Sequence, residues 1–66
     1  MNIKLNGNDH PMPENKTVSG LLESLGFGSK PVVVELNKTA LFPRDYATTS
    51  LNDNDQVEII TIAAGG

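Results

Sequence analysis

The residues best suited to chemistry in this chain stand last. "QVEIITIAAGG" passes from a strand-like alternation through two alanines to Gly65-Gly66. A C-terminal glycine carries its carboxylate on an unbranched methylene, so no Cβ crowds an approaching reagent. That carboxylate is ionised at neutral pH and is a poor electrophile. It reacts only after activation, for example as an acyl phosphate or as an adenylate made from ATP. Consecutive glycines let a thin thread enter a narrow tunnel in any backbone conformation. Extended, the stretch from Ala63 to Gly66 reaches about 13 Å, enough to pass from a docking surface to a buried active site. Acyl activation and transfer is the chemistry that suits Gly66, with Gly65 and Ala64 as the thread.

A tail of this kind needs a rigid body to present it. "NIKLN" alternates with the period of a half-buried strand, Ile3 and Leu5 on one face. Asn6-Gly7 is a hairpin-turn signal, because both residues tolerate positive φ. The return strand is expected over "HPMP", a short edge strand, since its two prolines cannot donate ladder hydrogen bonds. "TVSGLLESLG" is the one helix. Thr17 is its N-cap, Val18, Leu21, Leu22 and Leu25 form its apolar stripe, and Gly26 stands where a left-handed stop is wanted. "PVVVELN" reads as a central strand, Asn37-Lys38 as a turn, and "TALFP" as a short strand. "RDYATTS" is a polar connection whose Tyr46 covers an edge of the core. "LNDNDQ" is a turn before the last strand, "VEIITI".

Runs of strands around one helix predict an α+β domain over residues 1–62, a mixed sheet of four to five strands with the helix on one face, and a flexible tail over 63–66. One short helix cannot cover both faces of such a sheet. Val57 and Ile59 share one side of the last strand, Ile60 and Ile62 the other. If the first pair faces the helix, Ile60 and Ile62 become apolar surface, which on a small protein marks a partner-docking site.

Composition narrows the rest. With 66 residues the chain is one small domain, and it has no cysteine, so neither a disulfide nor thiol chemistry is available to it. The same absence favours a reducing, cytoplasmic setting. A net charge of −3 without a basic cluster argues against nucleic acid and anionic membranes, and no apolar run is long enough to span a bilayer. A protein partner with a basic or mixed surface fits better.

Taken in order, "MNIKLNG", "TVSGLLESL", "VVELN", "PRDY" and "DNDQVEIIT…GG" resemble the ubiquitin-like β-grasp sulfur carriers, most closely the ThiS family of the thiamine pathway. The resemblance covers the whole chain. Asn54 stands where the family commonly has glycine, and Tyr46 where it often has tryptophan; neither departure touches the tail. The resemblance implies a carrier, not an enzyme, that binds no cofactor and is a monomer when free. An E1-like adenylyltransferase would use ATP to adenylate Gly66. Sulfur originating from cysteine, through a donor such as a cysteine desulfurase, would displace AMP and leave a covalent thiocarboxylate on Gly66. Thiazole synthase would then accept the sulfur. Sibling carriers that serve molybdopterin or tungsten-cofactor assembly, and ubiquitin-like modifiers joined to lysines, share the fold and the tail, and they stay open as alternatives.

Other reactive residues carry less. His10 is expected in an exposed loop with neither a nucleophile nor an orienting partner. "NDND" at 52–55 lacks the glycine and glutamate of a calcium loop, so no metal is expected there. Ser19 and Ser24 have no histidine partner. Leu5 and Phe42 are possible docking residues, although core burial accounts for both more simply.

Overall fold

The structure is a computed structural model that describes residues 1–28 and 30–62. Its strands are β1 (Asn2–Leu5), β2 (Asn8–Pro11), β3 (Val32–Leu36), β4 (Thr39–Ala40) and β5 (Gln56–Thr61), and its helix is α1 (Val18–Ser24). They form one mixed sheet in the order β2-β1-β5-β3-β4, with β1 and β5 parallel and the other neighbours antiparallel. The last strand in sequence is therefore the middle strand in space. No helix is long and apolar enough to cross a membrane among the described residues.

The helix forms where its signals stand. The Thr17 hydroxyl accepts the Gly20 N–H at 3.0 Å. Two further N-terminal amides, of Val18 and Ser19, donate to the Thr49 and Tyr46 carbonyls, so the helix start is satisfied by the polar connection between β4 and β5. At the far end Gly26 N–H donates to Glu23 and Phe27 N–H to Leu22, a paired closure that stops the helix and folds Phe27 back onto the core. Val18, Leu21 and Leu22 meet Ile3, Val34, Val57 and Ile59 from the sheet. Each such side chain contributes about 1.5–3 kcal/mol by leaving water.

Several expectations shift. The second strand is Asn8–Pro11, not the stretch from His10 to Pro13. Asn6 (φ 49) and Gly7 (φ 86) make a two-residue turn that sets Asn8 opposite Leu5, so pairing begins at once and ends before Pro13. His10 consequently lies in a strand, half-buried opposite Ile3, rather than in an exposed loop. Leu51, read as part of a turn, is buried in the core. Phe42 is not in the core but 62% exposed, with the Arg44 guanidinium over its ring at 4.8 Å. The "RDYATTS" connection opens with a 3₁₀ turn at Pro43–Asp45. Tyr46 packs half-buried against the core, and its hydroxyl donates to the Val32 carbonyl at 3.4 Å. Asn54 adopts a left-handed conformation (φ 69), which asparagine tolerates better than most residues other than glycine.

The middle strand is clamped from both sides by turn residues. Asn6 Oδ1 accepts the Ile59 N–H at 2.8 Å, and Asn6 Nδ2 donates to the Ile59 carbonyl at 3.3 Å. Asn37 Oδ1 accepts the Gln56 N–H at 2.9 Å, while its Nδ2 donates to Asp55 at 3.1 Å. Each asparagine carries a positive φ and also finishes a hairpin, so one residue type turns the chain and pins β5. Asn6 continues the β1–β5 ladder by one step past the end of β1.

Two stability predictions follow from these contacts. An alanine Cβ at position 20 would overlap the Asn15 backbone oxygen and lie 2.7 Å from Asn15 Cβ. The close approach that glycine permits is thus to the loop before the helix, not to the sheet. Overpacking costs about 1–3 kcal/mol against a helix-propensity gain of about 1 kcal/mol. Because the neighbour is backbone, Gly20→Ala should be net destabilising, with a lower urea midpoint at unchanged m-value. Asn6→Gly eases the turn but removes the clamp. It should still cost about 1–3 kcal/mol, the penalty for unpaired part-buried backbone groups, and amide exchange at Ile59 should accelerate.

Candidate functional site

Alternation along β3 and β5 builds the site. Val34, Val57 and Ile59 are buried beneath the helix, while Val33, Glu58 and Ile60 point to the opposite face. Register sets Val33 opposite Ile60 and Glu35 opposite Glu58. Ile62 N–H donates to the Pro31 carbonyl at 3.3 Å, which continues the ladder one rung beyond the strand. The helix-free face therefore carries, in order toward the end of the chain, an acidic rung, an apolar rung and the Pro31–Ile62 rung.

Ile60 and Ile62 are each 51% exposed, and Val33 is 37% exposed. The structure thus leaves both expected docking isoleucines accessible. Ile62 also lines a surface cavity of about 380 Å³ together with Leu22, Pro31, Val32, Pro43 and Tyr46, so it stands at the sheet's end as well as on its face. Leu5 is half-buried against the core, as its apolar neighbours require. Ala64, Gly65 and Gly66, with the expected tail over 63–66, lie outside the described residues.

The charged groups of this face are few. Lys4 bonds Asp9 at 2.6 Å, the only ion pair among the described residues. Glu58 lines a second surface cavity, of about 290 Å³, with Lys4, Gly7, Gln56 and Val57.

The remaining reactive residues serve the fold. A His10 ring nitrogen lies 2.7 Å from the Pro11 carbonyl, and the Ser24 hydroxyl donates to the Leu21 carbonyl. Asp53 accepts the Asn2 N–H and Asp55 the Asn52 N–H, so the "NDND" acids tie down a turn. Among the described residues no group of three His, Cys, Asp or Glu side chains is gathered to hold a metal ion. What this arrangement offers is a surface: a central strand and, near its last described residues, a bare apolar rung. Val33 is the exposed member of the "VVVEL" run, whose unbroken valines hide the alternation. The opposition of Glu35 to Glu58 had no signal without the register.

Comparison with known proteins agrees with this architecture. The profile of the ThiS family matches residues 3–66. A sulfur carrier protein ThiS from Thermus thermophilus is 37% identical over 64 residues, covering 97% of this chain and 98% of that protein. A thiazole synthase from Magnetococcus marinus is 38% identical over 66 residues; the alignment takes in all of this chain but only 20% of that longer protein. The crystal structure of a thiamine biosynthesis protein (ThiS) from Geobacter metallireducens superposes with a TM-score of 0.81 at 30% identity, covering 100% of both chains. With the sheet order, the helix and the match along the sequence in agreement, the chain belongs to the ThiS family and has its ubiquitin-like β-grasp fold.

Proposed function

We propose that this chain carries sulfur for thiazole formation in thiamine biosynthesis, with the Gly66 carboxylate as the carrying group. One observation supports this above the others: the family match extends through Gly66, the residue whose chemistry suits acyl activation. The pairing of β5 supports it mechanically: β3 holds the strand through Thr61, and the Asn6 side chain bonds Ile59 from the other side.

The reaction has three steps. In an E1-like adenylyltransferase, a Gly66 carboxylate oxygen attacks the α-phosphorus of ATP and pyrophosphate leaves. The resulting acyl adenylate converts a poor electrophile into a good one. The terminal sulfur of a persulfide, formed from cysteine on a donor such as a cysteine desulfurase, then attacks the acyl carbon. The bond from that carbon to the AMP oxygen breaks and AMP departs, leaving an acyl disulfide. A partner thiol then attacks the donor-side sulfur, a disulfide forms, and a thiocarboxylate remains on Gly66. Gly65 and Ala64 serve as the slim approach, since side chains there would crowd a tunnel. Ile60 and Ile62 serve in docking. The chain contributes the acyl group and the handle, and its partners contribute catalysis.

Thiazole synthase is the acceptor this reading favours. In the Magnetococcus marinus relative, a segment like this chain occupies a fifth of a protein named thiazole synthase. Covalent linkage holds two modules at a high effective concentration, an arrangement that serves two parts acting on one another.

The test is intact-mass measurement after incubation with the activating enzyme, ATP and a sulfur donor. The expected gain is one sulfur less one oxygen, absent when Gly66 is deleted; an unchanged mass with a competent activating enzyme would reject the reading. Ile60→Ala should weaken binding to that enzyme by about tenfold, near 1.4 kcal/mol. The melting temperature should barely move, because Ile60 is half exposed and outside the core.

A further inference from the structure

Building on the carrier reading above, we propose that the helix-free face of β3 and β5 docks the ATP-dependent activating partner through two matched contacts. An apolar side chain of that partner sits over Val33 and Ile60, and a lysine or arginine beside it sits against Glu35 and Glu58.

The acidic rung is the telling feature. Glu35 and Glu58 are directly opposed in register, which sets their Cβ atoms about 4.5–5.5 Å apart, and like charges so placed destabilise a sheet. Lys4, on the same face of the sheet, lies opposite Gln56 and is paired with Asp9 at 2.6 Å. The two glutamates thus form no ion pair among the described residues. On the next rung Val33 and Ile60 leave apolar surface in water. Repulsion on one rung and unburied hydrocarbon on its neighbour both work against the free domain. Both become favourable when a surface of opposite charge and matching apolar character covers them.

Reaction chemistry says which partner that is. An enzyme that brings a carboxylate to the α-phosphate of ATP must surround the polyphosphate with cationic groups, and their field attracts a carrier of net charge −3. Geometry then orders the contacts. Glu58, Ile60 and Ile62 follow one another toward the end of the chain, spaced about 7 Å apart on one strand face. The partner's cation therefore sits on the side of the apolar contact away from the exit, and Ile62 lies nearest the active site.

Titration calorimetry of the full chain with the activating enzyme, at low and physiological salt, reads docking without requiring turnover. Wild-type affinity should fall as salt rises. Glu35→Lys with Glu58→Lys should weaken binding by about tenfold or more and flatten the salt response. The neutral pair Glu35→Gln with Glu58→Gln should melt no lower than wild type, since it removes a cross-strand repulsion. Wild-type affinity in the lysine variant, or a clearly lower melting temperature in the glutamine variant, overturns the proposal. A wild type that shows this salt-dependent docking yet never gains sulfur rejects the carrier reading and upholds the docking face. A wild type that loads sulfur while the lysine variant binds undiminished rejects the docking face alone.

Discussion

Everything in this small domain depends on the central strand being pinned. β5 pairs with β1 on one side and β3 on the other, and asparagines from two different turns bond its backbone at Gln56 and Ile59. Its Gln56–Val57 end cannot fray without breaking both ladders, while from Glu58 to Thr61 the ladder runs to β3 alone, reinforced on the other side by the Asn6 side chain at Ile59.

The second constraint is arithmetic of coverage. One seven-residue helix shields one face of a five-stranded sheet. The shielded face holds the core, closed by Leu51 and the Tyr46 connection, which also caps the helix start. The other face must either be polar or find a partner. Its β1–β2 half is polar and carries the Lys4–Asp9 pair. Its β3–β5 half is not, and there an apolar rung adjoins an uncompensated acidic one. A domain with a modest core does not gain stability from such a surface. Binding is the use we propose for it.

Much of this was legible in the residues. The N-cap at Thr17, the stop at Gly26, both hairpin turns, the succession of elements along the chain and the exposure of Ile60 and Ile62 all follow from local signals: periodicity, capping chemistry and tolerance of positive φ. The failures were of another kind. Leu51 looked like turn because its neighbours are polar, yet its backbone is drawn against Lys16 and its side chain falls into the core. The second strand began two residues early because the turn is as short as a turn can be. The exposure of Val33 had no signal of its own, because a run of valines hides the alternation beneath it.

By itself the sequence determined the parts: one helix, five short strands, and the glycine pair on which the proposed chemistry rests. Those properties are local, set by a residue and the few beside it. Only the tertiary structure decided that the last strand lies in the middle, that Asn6 and Asn37 grip it, and that Glu35 faces Glu58. Each of these joins residues far apart in the chain, and register, which no local pattern encodes, selects which of them meet.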